Sequence, residues 1–249
     1  MEKLKILGIK ITPAEPQELH AEITRLIMQG GPGFVLSGNI HGINLARQLK
    51  WLADFYNQAD LVRVDGAGVV LGARLLGHSI PKRLTWADWG WMLADYVAEK
   101  GHSLYLLGGP EGAASESADR LKQHAPGLKI LGTQHGYFAK SGPENDEVIN
   151  EINNCRPDIL LVGMGMPLQE SWLLKNYSKM DAKVFITAGA AFEFLSGSVK
   201  RCPKWMGDLG LEWFYRLSLE PKRMAKRYLW GNTVFFFHVL KERLGFTPL

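Results

Sequence analysis

Short apolar segments alternate with amphipathic segments through the first 198 residues, and this alternation limits the possible folds more than any other feature. Six apolar runs have the length of strands: Leu4–Ile9, Gly33–Ser37, Ser103–Leu107, Lys129–Gly132, Asp158–Gly163 and Lys183–Thr187. Between them, apolar residues recur every three or four positions in Pro16–Gln29, His41–Tyr56, Ala87–Lys100, Gly112–His124 and Glu144–Asn154. Because strands that alternate with helices usually form parallel sheets, the pattern predicts an α/β fold with a Rossmann-like, mostly parallel sheet covered by helices.

Glycine and other small residues follow several of the predicted strands. The clearest cases are Ser37-Gly38-Asn39, Gly108-Gly109-Pro110, Gly163-Met164-Gly165 and Ala188–Ala191. In an open α/β sheet, ligands bind at the carboxyl ends of the strands, where glycine lets the backbone approach closely and helix N-termini favour anions. We therefore expect the binding site at this edge of the sheet.

The glycine-rich turn Gly108–Gly112 has some features of a dinucleotide phosphate loop. It lacks the GxGxxG spacing, and Pro110 stands where a backbone N–H donor would be needed. Local sequence leaves open whether Gly108 and Gly109 contact a nucleotide phosphate or form an ordinary strand-to-helix turn. A nicotinamide-dependent oxidoreductase on a doubly wound sheet is therefore one alternative, although its fingerprint and the following ribose-binding carboxylate are missing.

Three polar residues near strand ends each allow a structural and a functional interpretation. Asp65 follows an apolar run and precedes a glycine-bracketed helix start, so it fits both a helix N-cap and a general base. His135 fits a loop histidine beside a turn glycine, and a substrate contact is the alternative. Gln169 opens a helix after Pro167. Its side-chain amide is suited either to capping backbone N–H groups or to a hydrogen bond with a sugar hydroxyl or a uracil edge.

The charge of the chain is unevenly distributed. After about Ser198 the strand-helix alternation stops, which predicts a boundary between an α/β body (residues 1–198) and a basic, aromatic-rich helical tail (residues 199–249). The tail contains ten Lys and Arg against four Asp and Glu, while the whole chain carries only +4. This asymmetry indicates a negatively charged partner for the tail, which is nucleic acid, anionic lipid or a phosphorylated substrate.

Aromatic residues in the tail alternate with basic ones. They are Trp205, Trp213, Tyr215, Tyr228 and Trp230, followed by the apolar block Phe235–Phe237. The apolar run Tyr228–Leu240 is too short to span a bilayer, which requires about twenty residues. We therefore expect the tail to lie on an anionic membrane surface without crossing it. The alternatives are a nucleic-acid binding module and simple packing of the aromatics onto the body.

Neither the cysteines nor the first residues indicate export. Cys155 and Cys202 are the two cysteines of the chain, and neither lies in a CxxC motif or in a cluster with metal-ligand spacing. Residues Met1–Ile11 contain four charged side chains, which interrupt the apolar stretch that a signal peptide requires. We expect a cytoplasmic location, with no disulfide framework and no metal centre.

An ordered set of short motifs resembles the WecG/TagA/CpsF family of bacterial glycosyltransferases over essentially the whole chain. The motifs are Asn39, Ala59-Asp60-Leu61, Asp65–Val70, Leu106–Gly109, Gly132–Phe138, Pro167 with Gln169-Glu170, Val199–Arg201 with Pro203, Leu209–Trp213, Tyr215-Arg216 and Glu220-Pro221. No single motif is decisive, whereas the ordered set is highly specific.

The resemblance implies an inverting transfer of a sugar from a UDP-sugar to a polyprenyl-diphosphate-linked acceptor, in cell-surface polysaccharide or teichoic acid assembly. It implies that Asp65 is the general base, that Ser37 and Asn39 line the catalytic pocket, and that Gln169 is an active-site glutamine. No cofactor and no metal are expected. The implied enzyme is peripheral on the inner face of the cell membrane, binds no nucleic acid and is a candidate homo-oligomer.

The resemblance also assigns a role to the tail cations. Arg216 and Arg223 match arginines that fold over the pocket and meet the donor diphosphate, with Lys226 or Arg227 as a third cation. A group of fixed cations of this kind is able to stabilise a leaving diphosphate without a metal. This role agrees with the anionic partner that the charge distribution indicates.

Four positions depart from the family pattern and concern the substrate. Ser37 stands where threonine is common, Leu168 where lysine usually precedes the glutamine, Glu193 where aspartate is usual, and Trp86 where glycine is usual. Tryptophan adds a large apolar face, so Trp86 is predicted to narrow the pocket or to stack against a sugar. The donor is therefore left open between UDP-N-acetylmannosamine and a UDP-hexose such as UDP-glucose or UDP-galactose, used in exopolysaccharide assembly.

Overall fold

The protein is built around one parallel sheet. The computed structural model describes residues 1–81 and 83–246, without the side chains of Asp208 and Arg223. The strands described are β1 Leu4–Ile6, β2 Ile9–Ile11, β3 Gly33–Gly38, β4 Leu61–Val64, β5 Ser103–Gly108, β6 Lys129–Gln134, β7 Ile159–Gly163 and β8 Val184–Thr187. Strands β3 to β8 form a six-stranded sheet in the order β4-β3-β8-β7-β5-β6, and every pairing is parallel. The predicted α/β fold is confirmed.

The first apolar run is a hairpin, and the prediction of one strand over Leu4–Ile9 is wrong. β1 and β2 pair antiparallel, with Ile6 opposite Ile9. The turn residues Leu7 and Gly8 have φ angles of 51° and 80°, which is the conformation of a tight two-residue hairpin turn. Gly8 adopts this left-handed conformation without strain. The chain therefore reverses direction within the segment that was predicted to be one strand.

Helices occupy the amphipathic segments of the body. They are α1 Pro16–Gln29, α2 Ile40–Gln48, α3 Lys50–Gln58, α4 Ala67–Leu75, α5 Trp86–Lys100, α6 Ala113–His124, α7 Pro143–Cys155, α8 Leu168–Asn176 and α9 Ala191–Leu195. The bounds predicted for α1 are confirmed, with Pro16 in its first turn and Gly30 in the left-handed conformation at its end. The single helix predicted over His41–Tyr56 is wrong, because Leu49 has an extended backbone and separates α2 from α3.

The helices cover both faces of the sheet and form two hydrophobic clusters. Ile43 of α2 and Trp172 of α8 lie in the cluster on one face. Ala114 of α6 and Phe192 of α9 lie in the cluster on the other face. The helices that follow β3 and β7 therefore cover one face of the sheet, and the helices that follow β5 and β8 cover the other face. Such divergence opens a crevice at the carboxyl ends of the strands, which is where ligands bind in open α/β sheets.

The described part of the tail is helical, as predicted. It contains α10 Lys204–Asp208, α11 Glu212–Leu219, α12 Pro221–Ala225, one π-helical turn at Lys226–Trp230, and α13 Gly231–Arg243. None of the helices within residues 1–81 and 83–246 is both long and apolar enough to cross a bilayer.

The last helix of the tail packs into the core of the body. Phe235 and Val239 are fully buried in the same cluster as α2 and α4. A Cβ on Gly72 of α4 would lie 2.7 Å from the Phe235 ring, so only glycine permits this contact. Asn44 also donates a hydrogen bond of 2.7 Å to the Gly231 carbonyl. The division at residue 198 stays a prediction. Although α13 follows this boundary, its buried side chains belong to the hydrophobic core of the body.

Candidate active site

A large cleft opens at the carboxyl edge of the sheet. Its volume is about 2640 Å³, well above the roughly 300 to 1,000 Å³ of a typical small-molecule site, so it has room for two substrates. The body contributes Asn39, Asp65, Gly109, Gly163 and Gly189 to its lining, and the tail contributes Trp213, Arg216, Lys226, Arg227 and Tyr228. The cleft therefore lies between the strand ends and the tail.

Glycines allow three strand-end turns to meet at the floor of the cleft. A Cβ on Gly108 would overlap the carbonyl group of Gly163, and the φ angle of Gly108 is 143°. The amide of Gly109 donates to the Gly163 carbonyl at 2.9 Å, and the amide of Gly136 donates to the Gly109 carbonyl at 2.8 Å. Because the Gly109 amide is already engaged, it is not free for a nucleotide phosphate. The structural interpretation of this turn fits better than the phosphate loop.

Asp65 lies at the carboxyl end of β4 with its carboxylate on the cleft. Its side chain is 21% exposed, and one carboxylate oxygen is 3.7 Å from Nη1 of Arg63. The backbone amide of Asp65 donates to the Gly38 carbonyl at 2.9 Å, which fixes the turn against β3. The N-cap of α4 is Gly66 and carries no side-chain cap, so the interpretation of Asp65 as an N-cap is wrong. The role of general base stays a prediction.

Ser37 and Asn39 lie beside Asp65 at the end of β3. The Ser37 hydroxyl donates to the Thr187 carbonyl at 2.9 Å and accepts from Nη2 of Arg63 at 2.7 Å. The side-chain oxygen of Asn39 accepts from the Gly42 amide at 2.9 Å and so caps α2. Within the described residues Nδ2 of Asn39 has no hydrogen-bond partner. Asn39 therefore offers a free donor to a ligand, whereas the Ser37 hydroxyl is committed to the fold.

Gln169 does not reach the cleft. It is fully buried, its side-chain oxygen accepts from the Gly189 amide at 3.0 Å, and its side-chain nitrogen donates to Glu170 at 2.7 Å. The predicted direct contact with a sugar or a uracil is therefore corrected, because both polar ends of this amide bind protein groups. Gln169 instead braces the turn after β8, which lines the cleft at Gly189.

Glu170, the partner of Gln169, is a buried carboxyl group for which the sequence predicted no separate role. Burial raises the pKa of Glu170 to about 7, and the hydrogen bond from Gln169 opposes this shift. Within the described residues its second carboxylate oxygen has no hydrogen-bond partner. The Gln169-Glu170 motif is visible in the sequence, but two adjacent polar residues at the start of a helix do not indicate that both side chains are buried.

Arg63 is another functional candidate that the sequence did not reveal. It lies in the middle of β4 and is fully buried. Its guanidinium donates to the Leu84 carbonyl and to Ser37, and its centre is 4.8 Å from the ring of Trp86 and 4.8 Å from that of Trp89. Burial lowers the pKa of Arg63, and the neighbouring Asp65 opposes this.

Trp86 is mainly a packing residue. It is 5% exposed, its indole N–H donates to the Thr187 carbonyl at 3.2 Å, and it packs at 4.8 Å from Trp89. It also belongs to the cleft lining. The Arg63 guanidinium covers one face of the Trp86 ring, so a sugar would contact only the small part of the ring that is exposed to the cleft. A narrowing of the pocket by Trp86 stays a prediction.

Three of the four predicted tail cations line the cleft, and the side chain of Arg223 lies outside the described residues. The guanidinium of Arg216 lies 4.9 Å from the Phe194 ring, and its buried Nε has no hydrogen-bond partner among the described residues. Lys226 and Arg227 follow in the π-helical turn. Burial, and secondly Arg227, lower the pKa of His41 to about 4.

An ion pair joins the tail to the body next to Asp65. Nη1 of Arg83 lies 3.3 Å from a carboxylate oxygen of Glu212 in α11, and Arg83 also donates to the Gly207 carbonyl. Burial raises the pKa of Glu212, Arg83 opposes the shift, and the charge of Asp65 adds to it. The sequence did not predict the ion pair of Arg83 with Glu212, because it depends on where the tail folds.

His135 lies outside the lining of the cleft. Its Nδ1 accepts from the Tyr137 amide at 3.1 Å, within its own turn. This is the loop histidine that the sequence favoured, and the predicted substrate contact has no support from its position. Among residues 1–81 and 83–246 no group of three or more His, Cys, Asp or Glu is arranged to hold a metal ion.

Comparisons with known proteins identify one family of enzymes. The model of the glycosyl transferase WecG/TagA/CpsF family matches residues 4–248. A protein of Bacillus spizizenii (strain W23) is 29% identical over 207 residues, which cover 83% of this chain and 79% of the relative. A protein of Staphylococcus aureus (strain MRSA252) is 27% identical, over 84% of this chain and 80% of the relative.

A third relative, from Bacillus subtilis (strain 168), is 32% identical over 70% of this chain and 66% of its own length. All three relatives are named N-acetylglucosaminyldiphosphoundecaprenol N-acetyl-beta-D-mannosaminyltransferase. The matches favour a transferase over the oxidoreductase and the nucleic-acid binding module that the sequence left as alternatives. With a family model that matches from residue 4 to residue 248, and with Asp65 and the tail cations in one cleft, the chain belongs to the glycosyl transferase WecG/TagA/CpsF family.

Proposed function

We propose that this glycosyltransferase moves a sugar from a UDP-sugar to a polyprenyl-diphosphate-linked acceptor with inversion at the anomeric carbon. The observation that carries the proposal is one cleft that holds the Asp65 carboxylate on its sheet side and Arg216, Lys226 and Arg227 on its tail side. A carboxylate suits the acceptor hydroxyl, and cations suit a diphosphate. The volume of the cleft supports simultaneous binding of donor and acceptor.

The proposed reaction is a single displacement. Asp65 accepts the proton of the acceptor hydroxyl while that oxygen forms a bond to the anomeric carbon. The bond from the anomeric carbon to the diphosphate oxygen breaks on the opposite face, its electron pair leaves with UDP, and the configuration inverts. The proton ends on the Asp65 carboxylate. It then passes to solvent, which reaches this carboxylate because the side chain is 21% exposed.

The tail cations are proposed to stabilise the leaving diphosphate. Charge-assisted hydrogen bonds from arginine to phosphate oxygens are about twice as strong as neutral ones. Arg216 lines the cleft, and its buried Nε lacks a hydrogen-bond partner in the described part of the chain, so protein groups do not satisfy the whole guanidinium. We expect Arg223 to contribute as well, and we expect no need for a metal or another cofactor.

The names of the relatives support one choice of substrates. They suggest an N-acetylmannosaminyl donor and N-acetylglucosaminyl-diphosphoundecaprenol as the acceptor. Trp86, Leu168 and Glu193 line the cleft at positions that depart from the family pattern, so a UDP-hexose stays the alternative donor. Assembly of teichoic acid or of another cell-surface polysaccharide fits either donor.

The tail is also proposed to contact an anionic membrane at the inner face of the cell membrane. It presents exposed apolar side chains near its basic residues: Trp205, Leu209, Phe214, Leu229 and Trp230. Aromatic residues bury into the interface, and each Lys or Arg near an anionic surface contributes about 1 kcal/mol. Contact with the membrane would bring the cleft to a lipid-linked acceptor. Self-association into a homo-oligomer is a further proposal.

Incubation with a panel of UDP-sugars and GDP-sugars, in the presence of a short polyprenyl-diphosphate N-acetylglucosamine, tests the function. We expect turnover with one or two UDP-sugars and release of UDP, in the presence of EDTA. Absence of turnover with every UDP-sugar, or activity that EDTA abolishes and Mg²⁺ restores, would contradict the proposal.

A further inference from the structure

A positive charge is buried behind the proposed base. Nη1 of Arg63, in β4, lies 3.7 Å from a carboxylate oxygen of Asp65, the residue that follows the end of this strand. Asp65 lines the cleft, whereas Arg63 does not and has no exposed surface. The guanidinium therefore lies between the hydrophobic cluster of the body and the carboxylate at the cleft.

Burial of this charge needs a reason. Removing a cation from water is expensive unless its surroundings compensate, and an apolar side chain of similar volume is often at least as stable in such a place. The indoles of Trp86 and Trp89 attract the guanidinium through cation–π contacts, but an aliphatic chain would also fill the space between them. Packing alone therefore does not account for an arginine at this position.

The partners of Arg63 indicate what it does. It donates to the Ser37 hydroxyl at 2.7 Å, and within the described residues its ion-pair partner is Asp65, at 3.7 Å. That distance is too long for a hydrogen bond, so the lone pairs of the carboxylate are not consumed. The attraction still orients the carboxylate, because the Arg63 guanidinium is fully buried and solvent screens a buried charge less than an exposed one.

We infer that Arg63 is a positioning residue, which holds the Asp65 carboxylate toward the acceptor hydroxyl and fixes the end of β3 through Ser37. The inference rests on the proposed function, since it requires Asp65 to accept a proton. Arg63 touches no substrate in this role and acts only through Asp65 and Ser37.

Arg63→Met tests the inference, because methionine keeps an unbranched chain between the two indoles without the charge. A small displacement of a catalytic group lowers turnover by up to about a hundredfold, so we expect kcat to fall by about ten- to a hundredfold. The KM for the donor should change by less than about threefold, since substrate contacts are unaltered. Arg63→Lys should recover part of the lost kcat, because it restores the charge.

Two controls separate positioning from general damage. Arg120→Met removes another arginine–tryptophan contact, 5.8 Å from the Trp91 ring and outside the cleft lining, and should leave kcat unchanged. A double-mutant cycle adds Arg63→Met to Asp65→Asn. If Arg63 acts through Asp65, the second substitution should cost little beyond the first.

The outcomes distinguish this inference from the proposed function. Near-normal kcat in Arg63→Met, equal losses in Arg63→Met and Arg63→Lys, or multiplicative losses in the double-mutant cycle would overturn the inference alone. Absence of wild-type turnover, or normal turnover of Asp65→Asn, would overturn the proposed function together with it. If Arg63→Met does not fold, as judged by circular dichroism, Arg63→Gln replaces it, because glutamine keeps a donor for Ser37. Since Arg63→Gln still removes the charge beside Asp65, kcat should fall by at least about tenfold.

Discussion

The carboxyl edge of the sheet and the tail face each other across one cleft, but they are built differently. At the sheet edge the polar groups of Ser37, Arg63 and Gln169 are buried and bound to one another or to backbone. In the tail, Arg216 and Lys226 lie on helices with few buried side chains before α13. In the proposed mechanism, the sheet edge therefore fixes the geometry of a proton transfer, while the tail supplies positive charge for a diphosphate.

Asp65→Asn tests the sheet side of this comparison and has the largest expected effect. Asparagine keeps the shape of the side chain but cannot accept the proton, so turnover should fall by roughly 10² to 10⁴. Initial rates with the UDP-sugar that the enzyme accepts measure this loss of turnover. Asp95→Asn, on the exposed surface of α5, is the control. Near-normal turnover of Asp65→Asn would remove the base from the mechanism.

Phe235→Ala tests whether the tail depends on its last helix for attachment. Phe235 is fully buried against α4, so its truncation should lower the free energy of unfolding by about 3 to 5 kcal/mol. Phe237 on the same helix is 53% exposed, and Phe237→Ala should change stability by less than about 0.5 kcal/mol. Urea unfolding measures both. Equal effects of the two substitutions would show that α13 is not docked as described.

Glu170→Gln tests the cost of the buried network that braces the sheet edge. Because burial raises the pKa of Glu170 from 4.5 to about 7, the folded protein retains a proton that the unfolded chain has released. The contribution of Glu170 to the free energy of unfolding is therefore fully present below pH 4.5. It decreases as the pH rises from 4.5 to 7, by about 3 kcal/mol in total.

Glutamine does not titrate, so Glu170→Gln should be more stable than the wild type at pH 8 and should lose less stability between pH 5 and pH 8. Urea unfolding at the two pH values measures the change. The exposed Glu116→Gln serves as the control and should follow the wild type. If Glu170→Gln shows the same pH dependence as the wild type, Glu170 does not carry the buried proton.

Arg216→Ala tests the tail side and has the smallest expected effect. One charge-assisted hydrogen bond contributes about 1.5 to 3 kcal/mol, so turnover should fall by roughly ten- to 150-fold. Arg243→Ala, at the exposed end of α13, removes a tail charge outside the cleft lining and should leave turnover unchanged. Equal losses in both variants would mean that net charge, and not a contact at the cleft, explains the role of the tail.

The sequence predicted the parts of this comparison that depend on local pattern. Apolar runs predicted five of the six strands of the parallel sheet, and β4 was missing from them. The apolar residues before Asp65 nevertheless indicated a strand end there, and Asp65 does line the cleft. It did not reveal that Gln169 is buried or that Arg63 lies between two indoles, because those contacts join segments distant in the chain. The apolar block Phe235–Phe237 gave no sign that Phe235 enters the core while Phe237 stays exposed.

Titration of UDP into the wild type, Asp65→Asn and Arg216→Ala by calorimetry tests the division of roles between the two regions most directly. UDP retains the diphosphate but lacks the sugar and the acceptor, so the account predicts an unchanged affinity for Asp65→Asn. For Arg216→Ala it predicts an affinity lower by roughly ten- to 150-fold. Weakened UDP binding in Asp65→Asn, together with wild-type binding in Arg216→Ala, would contradict the account.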